Sequence, residues 1–207
     1  MQDRVQALAD FLAKKRVKVS DRARPEIDTR EAHRVYIQLL RSAISGGLAP
    51  EDVARWREVA QRLGPDDESF YARLARANTL SHRDWLAANE TRHRMRLAWA
   101  RFFGDYDVLL CPAGASTAPP HDQQRERWER TIVVNGRDVP QTDQYFWAGY
   151  SGMAYLPSVV APCGFTPSGL PVGVQIVAPQ YGDRTAIHFA RLLEREFQPF
   201  VPPKGYE

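Results

Sequence analysis

Apolar residues recur with helical spacing along the first half of the chain. Val5, Leu8, Phe11 and Leu12 fall on one face and predict an amphipathic helix over residues 2–15. Val17-Lys18-Val19 alternates as a short strand does. Asp28, with Glu31 three residues on, reads as an acidic capping box ahead of Ala32, Val35, Tyr36, Leu39, Leu40, Ala43 and Ile44. That helix closes at Gly46-Gly47. Pro50 suits a first helical position, and Val53, Trp56, Val59, Ala60 and Leu63 carry a second helix to Gly64. A shorter helix follows over residues 68–78. Ser81 with Asp84 opens a long one that runs to Phe103, with apolar side chains on more than one face.

Beyond Gly104 the pattern changes. Residues 106–111 form a short apolar run ended by Pro112, and residues 113–124 have the composition of a loop. Val133-Val134-Asn135-Gly136-Arg137 is a hairpin signal, because Asn-Gly accepts the positive φ of a tight type I′ turn. Residues 142–150 read as helical. Ser158 to Ala161 and Val172 to Val177 are β-branched runs of core-strand length, joined by a link holding Pro167, Ser168 and Gly169. Gly164, Gly169 and Gly173 mark places needing positive φ or close backbone approach. Asp183 reads as the cap of a last helix with Ala186, Phe189, Ala190, Leu193 and Phe197 on one face. Helices come first and strands later, which is an α/β pattern with few strands.

Composition narrows the function classes. A net charge of +3 comes from 28 Lys+Arg spread among 25 Asp+Glu, so no basic patch for nucleic acid is expected. No apolar run approaches the roughly 20 residues that span a bilayer. Met1 to Asp10 carries Asp3, Arg4 and Asp10 with no apolar core, unlike a signal peptide. A cytoplasmic protein with no membrane partner is the expectation. Cys111 and Cys163 follow apolar runs and read as buried free thiols.

Few groups look catalytic. Gly149-Tyr150-Ser151-Gly152-Met153 approaches a nucleophile elbow, with Asp183 and His188 following in hydrolase order. That elbow needs a buried strand before the serine and a helix after it. Gln141 to Gln144 is no such strand, and Leu156-Pro157 would break the helix. A loop or helix-terminal serine is the expectation. His121-Asp122 reads as a polar turn. His82 and His93 lie on one helix without a third ligand, and His33 and His188 are isolated. No phosphate-binding glycine fingerprint is present, so no nucleotide, metal or other cofactor is implied.

Leu156-Pro157, Pro162-Cys163-Gly164 and Gly169-Leu170-Pro171-Val172-Gly173-Val174-Gln175, in that order before a final helix, resemble the C-terminal end of the amidase signature family. Tyr106 to Pro112 resembles the same family. The resemblance implies that residues 1–207 are the C-terminal part of an amidase-type domain, helix-rich over 1–104 and strand-rich over 105–207. This part would complete a mixed β-sheet flanked by helices. The complete enzyme would hydrolyse a small carboxamide to carboxylate and ammonia or amine through an acyl-serine intermediate. Family members use a Ser–cis-Ser–Lys triad on a Gly/Ser-rich stretch and an upstream lysine. This chain has no Ser-Ser pair, and its lysines are Lys14, Lys15, Lys18 and Lys204. No catalytic residue is therefore assigned, and the chain alone is expected to be inactive. From the cluster Tyr145, Phe146, Trp147 and Tyr150, the residues assigned to the substrate pocket are Trp147 and Tyr150. Association with the missing N-terminal half or with a second copy is the expected partnership. The competing expectation is a non-catalytic binding or assembly module that keeps part of the fold.

Overall fold

A computed structural model of the chain describes residues 1–205. Five helices come first: α1 (Gln2–Lys14), α2 (Thr29–Ser45), α3 (Pro50–Arg62), α4 (Phe70–Asn78) and α5 (His82–Phe102). Strand β1 (Leu109–Pro112) follows, then the hairpin β2 (Thr131–Val134) and β3 (Arg137–Pro140). A 3₁₀ turn (Gln141–Gln144) leads into α6 (Tyr145–Gly152). Strands β4 (Ser158–Phe165) and β5 (Pro171–Val177) and helix α7 (Asp183–Glu196) complete the order.

The helix starts are where the polar residues put them. Asp28 Oδ1 accepts from the N–H groups of Arg30 at 2.8 Å and Glu31 at 3.1 Å. These bonds to the charged form hold its carboxyl below the usual range. Ser81 Oγ accepts from Asp84 N–H at 3.1 Å, and Pro50 begins α3. Two expectations differ. Asp183 is the first residue of α7 rather than its cap, which is Gly182, and its side chain makes no capping bond. Val17 to Val19 form no strand. Arg16 adopts φ 64°, so Arg16 N–H reaches Ala13 C=O and Val17 N–H reaches Leu12 C=O, each at 3.0 Å. This is the Schellman closure that a glycine usually provides, and it leaves Val17 and Val19 exposed.

β1, β5 and β4 form a three-stranded sheet in that order, antiparallel throughout, with β5 in the centre. One face bears Ala161, Cys163, Val172, Val174 and Ile176, which pack on Leu8 and Leu12 of α1 and Ala186 and Leu193 of α7. The other bears Leu109, Cys111 and Val177, packed under α2, α5 and α6. This is an α/β architecture: a small sheet between two layers of helices. β2 and β3 form a separate ribbon whose turn has Asn135 at φ 51° and Gly136 at φ 75°, the positive pair a type I′ hairpin needs.

Helix α5 buries Ala88, Met95, Ala98 and Trp99, while Leu86 and Leu97 stay exposed. Its arginines are used as packing surface. The guanidiniums of Arg92 and Arg96 lie 4.4 and 5.1 Å from the ring centre of Tyr155. Tyr155 itself sits at φ 58° and closes the chain after α6, with Tyr155 N–H reaching Gly152 C=O and Leu156 N–H reaching Ser151 C=O, each at 3.2 Å.

Candidate functional site

The link from α6 to β4 brings together groups far apart in sequence. On the β5 face opposite α7, Gln175 is buried and donates from Nε2 to Ser151 Oγ at 3.0 Å. Ser151 Oγ lies 3.1 Å from Ser158 Oγ. Ser151 therefore occupies the last turn of α6, 4% exposed, against an amide and a second hydroxyl. Neither neighbour can take its proton near neutral pH, so it is not activated as a nucleophile. Asp183 and His188 ride on α7, across the sheet, and no triad assembles.

The same face continues past the buried cluster as an uncovered strip. Cross-strand pairing sets Val160 beside Gln175 and Pro162 beside Gly173. A Cβ on Gly173 would lie 2.6 Å from Val160 Cγ1, so only glycine lets that valine lie down, and Val160 is 58% exposed. Ala113 adjoins Gly173, and the loop after it is tied to the start of α6. Gln144 accepts from Ala115 N–H at 2.6 Å and donates to Ser116 Oγ at 2.9 Å.

The aromatic row of α6 packs on the buried cluster of this face, with Trp99, Cys111 and Val177. Tyr150 is 8% exposed and meets Trp99 edge-on at 5.1 Å and Phe146 at 5.5 Å. Trp147 is half-buried and lies perpendicular to Phe146 at 5.0 Å. The structure thus brings Trp147 and Tyr150 to one cluster at different depths. Sequence patterns showed the aromatic row, and Gln175 and Ser158 only as members of a motif and a strand, not the hydrogen bonds they make with Ser151 or those of Gln144 with the loop. A single Gln or Ser carries no sign in sequence that it will meet a partner from another element.

Burial dominates the titrating groups here. It pushes the Cys111 thiol up to about 12 and, aided by Cys111 and opposed by Arg24, the Tyr150 phenol to about 12. Cys111 is consequently no thiolate nucleophile. A raised folded-state pKa holds the proton in the native state, so this contribution to stability is complete below the ordinary thiol value of 9.0. It is lost as pH rises towards about 12. Thiol-specific labelling should leave Cys111 unmodified in the native protein near neutral pH and modify it readily in urea. Equal rates in the two states would contradict the burial.

Other candidates are occupied or incomplete. Asp122 is bound by Arg125 Nε at 2.6 Å and by the N–H groups of Arg125 and Gln124, which hold its carboxyl down to about 2. It does not orient His121. A cleft of about 440 Å³ lies between this loop and the β2–β3 ribbon, and one of about 300 Å³ between Glu31 and Arg94. Among the described residues, no hydrogen bond joins a base to a hydroxyl in the lining of either: Ser116 Oγ bonds to Thr117 C=O and Gln144 Nε2. Among the described residues, no cluster of His, Cys, Asp or Glu is placed to hold a metal ion, and no helix is long and apolar enough to cross a membrane.

The family model described as Amidase matches residues 1–187. An acylamidase from Rhodococcus erythropolis is 33% identical over 148 residues, which are 69% of this chain and 30% of the acylamidase. An indoleacetamide hydrolase from Bradyrhizobium diazoefficiens is 30% identical over 126 residues, or 58% of this chain and 22% of that protein. Among solved structures, 6-aminohexanoate cyclic dimer hydrolase superposes with a TM-score of 0.68 at 23% identity, covering 98% of this chain and 42% of that one. The chain thus matches less than a third of the length of these curated relatives. Such partial coverage fits a C-terminal portion of the fold.

Proposed function

This chain belongs to the amidase family, and we propose that it is the C-terminal part of an enzyme that hydrolyses small carboxamides. In the complete enzyme a serine oxygen attacks the amide carbonyl, and the C–N bond breaks with release of ammonia or an amine. Water then hydrolyses the acyl-serine ester to the carboxylate. The observation that carries this proposal is the β4–β5 hairpin. Its Gly164, Gly169 and Gly173 positions carry the family's pattern and meet the steric demands that pattern encodes, at φ 115°, at φ 84° and against Val160.

Within that enzyme, this chain supplies scaffold and wall. Trp147, half-buried on the outer side of the α6 cluster, is assigned the contact with the acyl portion of the substrate. Tyr150 is assigned the packing behind it, which fixes where Trp147 stands. Val160 and Gly173 form the floor. The nucleophile and its base are assigned to a segment that pairs with this one. Ser151, held between Gln175 and Ser158, does not serve as a substitute.

Ammonia release from simple amides tests this proposal. The chain alone is expected to show no turnover above buffer, and Ser151→Ala is expected to change nothing. Turnover by the purified chain that Ser151→Ala abolishes would overturn the assignment and restore a nucleophile on α6.

A further inference from the structure

The larger of the two clefts is walled by segments that hydrogen bonds hold in place. One wall is the loop that follows β1. Its start is tied to the start of α6 through Gln144, and its far end is held by Arg130, whose Nε donates to Arg125 C=O at 2.9 Å. The other wall is the β2–β3 ribbon, closed at its base where Gln141 N–H donates to Arg130 C=O at 2.8 Å. Val133 and Asp138 pair across this ribbon, so their side chains share one face, and both line the cleft. The space of about 440 Å³ between the walls is of small-molecule size and is already formed.

The charges in the lining divide into those already engaged and those that are not. Asp122 accepts from Arg125 Nε at 2.6 Å and from two backbone N–H groups, so this pair is satisfied within the loop. Arg130 is half-buried and lines the cleft, yet it forms no ion pair among the described residues. Asp138, exposed on the ribbon, forms none either, so the two do not neutralise each other across the gap. His121 on the loop wall brings no negative charge. With Nε fixed on Arg125 C=O, the Arg130 guanidinium keeps its Nη donors for a partner, and that partner must be an acceptor. A carboxylate meets such a planar fork through charge-assisted hydrogen bonds. Pro119, Pro120 and Val133 add apolar surface to the same lining, and Val133 is 64% exposed, so an apolar group seated there takes that surface out of water.

We propose that this cleft binds a small organic acid, with its carboxylate on Arg130 and its apolar body against Pro119, Pro120 and Val133. The site stands on this chain alone and does not depend on the amidase assignment.

The test is an amide NMR titration of the full chain with sodium benzoate, benzyl alcohol and benzylamine hydrochloride, each against sodium chloride at matched ionic strength. Benzoate should shift the amides of Thr117, Arg130 and Val133 saturably. It should bind at least about tenfold more tightly than benzyl alcohol, the effect of a hydrogen bond to a charged group. Arg130→Gln should lower the benzoate affinity to that of benzyl alcohol. Asp138→Asn should retain benzoate binding, because the site needs no carboxylate of its own. Val133→Asp sets a negative charge on the apolar wall and should abolish binding. Val133 is exposed, so this variant carries the test even if Arg130→Gln does not fold. The proposal is overturned by the absence of a saturable benzoate shift at these amides, by benzylamine binding as tightly as benzoate, or by loss of benzoate binding in Asp138→Asn. Unchanged benzoate affinity in Arg130→Gln or Val133→Asp would overturn it equally.

Discussion

Trp99→Ala is expected to destabilise the protein by about 3–5 kcal/mol, the range for truncating a large buried aromatic side chain. Trp99 is 0% exposed and sits where α5 meets α6 and the sheet. Phe103 stacks on it at 5.6 Å, Phe102 meets it edge-on at 6.0 Å, and Tyr150 does so at 5.1 Å. Phe102 and Phe103 are fixed to the end of the same helix and Tyr150 to α6, so the rings cannot all move in to close the space left by the indole. One term opposes the loss: the indole N–H is buried without an acceptor, and removing it recovers the roughly 1–3 kcal/mol that an unsatisfied buried donor costs. Trp99→Phe separates the two effects, because it keeps a ring in the stack and deletes the unpaired donor. Urea unfolding should rank wild type and Trp99→Phe close together, with Trp99→Ala far below. Equal midpoints for the two variants would mean that ring packing is not what Trp99 contributes. Against a typical total of about 5–15 kcal/mol, the alanine variant should be partly unfolded at physiological temperature.

The elements legible in the sequence are those whose cause is local. Asp28, Pro50 and Ser81 start helices through groups within three residues, and Asn135-Gly136 turns a hairpin through its own φ angles. Val17 to Val19 misleads because the stop signal before it is Arg16 at φ 64°, a conformation that only a glycine or asparagine would announce. Asp183 misleads by one position, since Gly182 takes the cap and leaves the carboxylate to act in the first turn through the helix dipole. The candidate site is legible only as a row of aromatics. Which of them turns inward is decided by Trp99, from another helix, and that places Tyr150 below Trp147. The Gly173 and Val160 contact lies between these cases: the glycine is visible, but its reason is a side chain on the neighbouring strand.

Gly149→Ala is expected to destabilise the protein although it places a better helix former inside α6. In an unhindered helix interior the exchange would gain up to about 1 kcal/mol. Here the new methyl would lie 2.6 Å from Cγ and 2.8 Å from Cε1 of the Tyr36 ring, which crosses from α2 onto α6 at this point. Contact along the body of the ring cannot be relieved by bending a flexible tip, so α2 and α6 must separate or the ring must leave its place. Overpacking of this kind costs about 1–3 kcal/mol, which exceeds the propensity gain. A double-mutant cycle decides whether Tyr36 is the cause. Tyr36→Ala should cost markedly less in the Gly149→Ala background than in the parent, with a coupling energy of about 0.5–3 kcal/mol, as for residues in direct contact. Additive effects, or a Gly149→Ala variant more stable than the parent, would show that the ring yields freely. The consequence extends to function, because α6 carries Trp147 and Tyr150 on the turns beside Gly149. A helix pushed off α2 shifts the wall assigned to the substrate, so in a reconstituted complete enzyme Gly149→Ala should raise KM for the amide more than it lowers kcat.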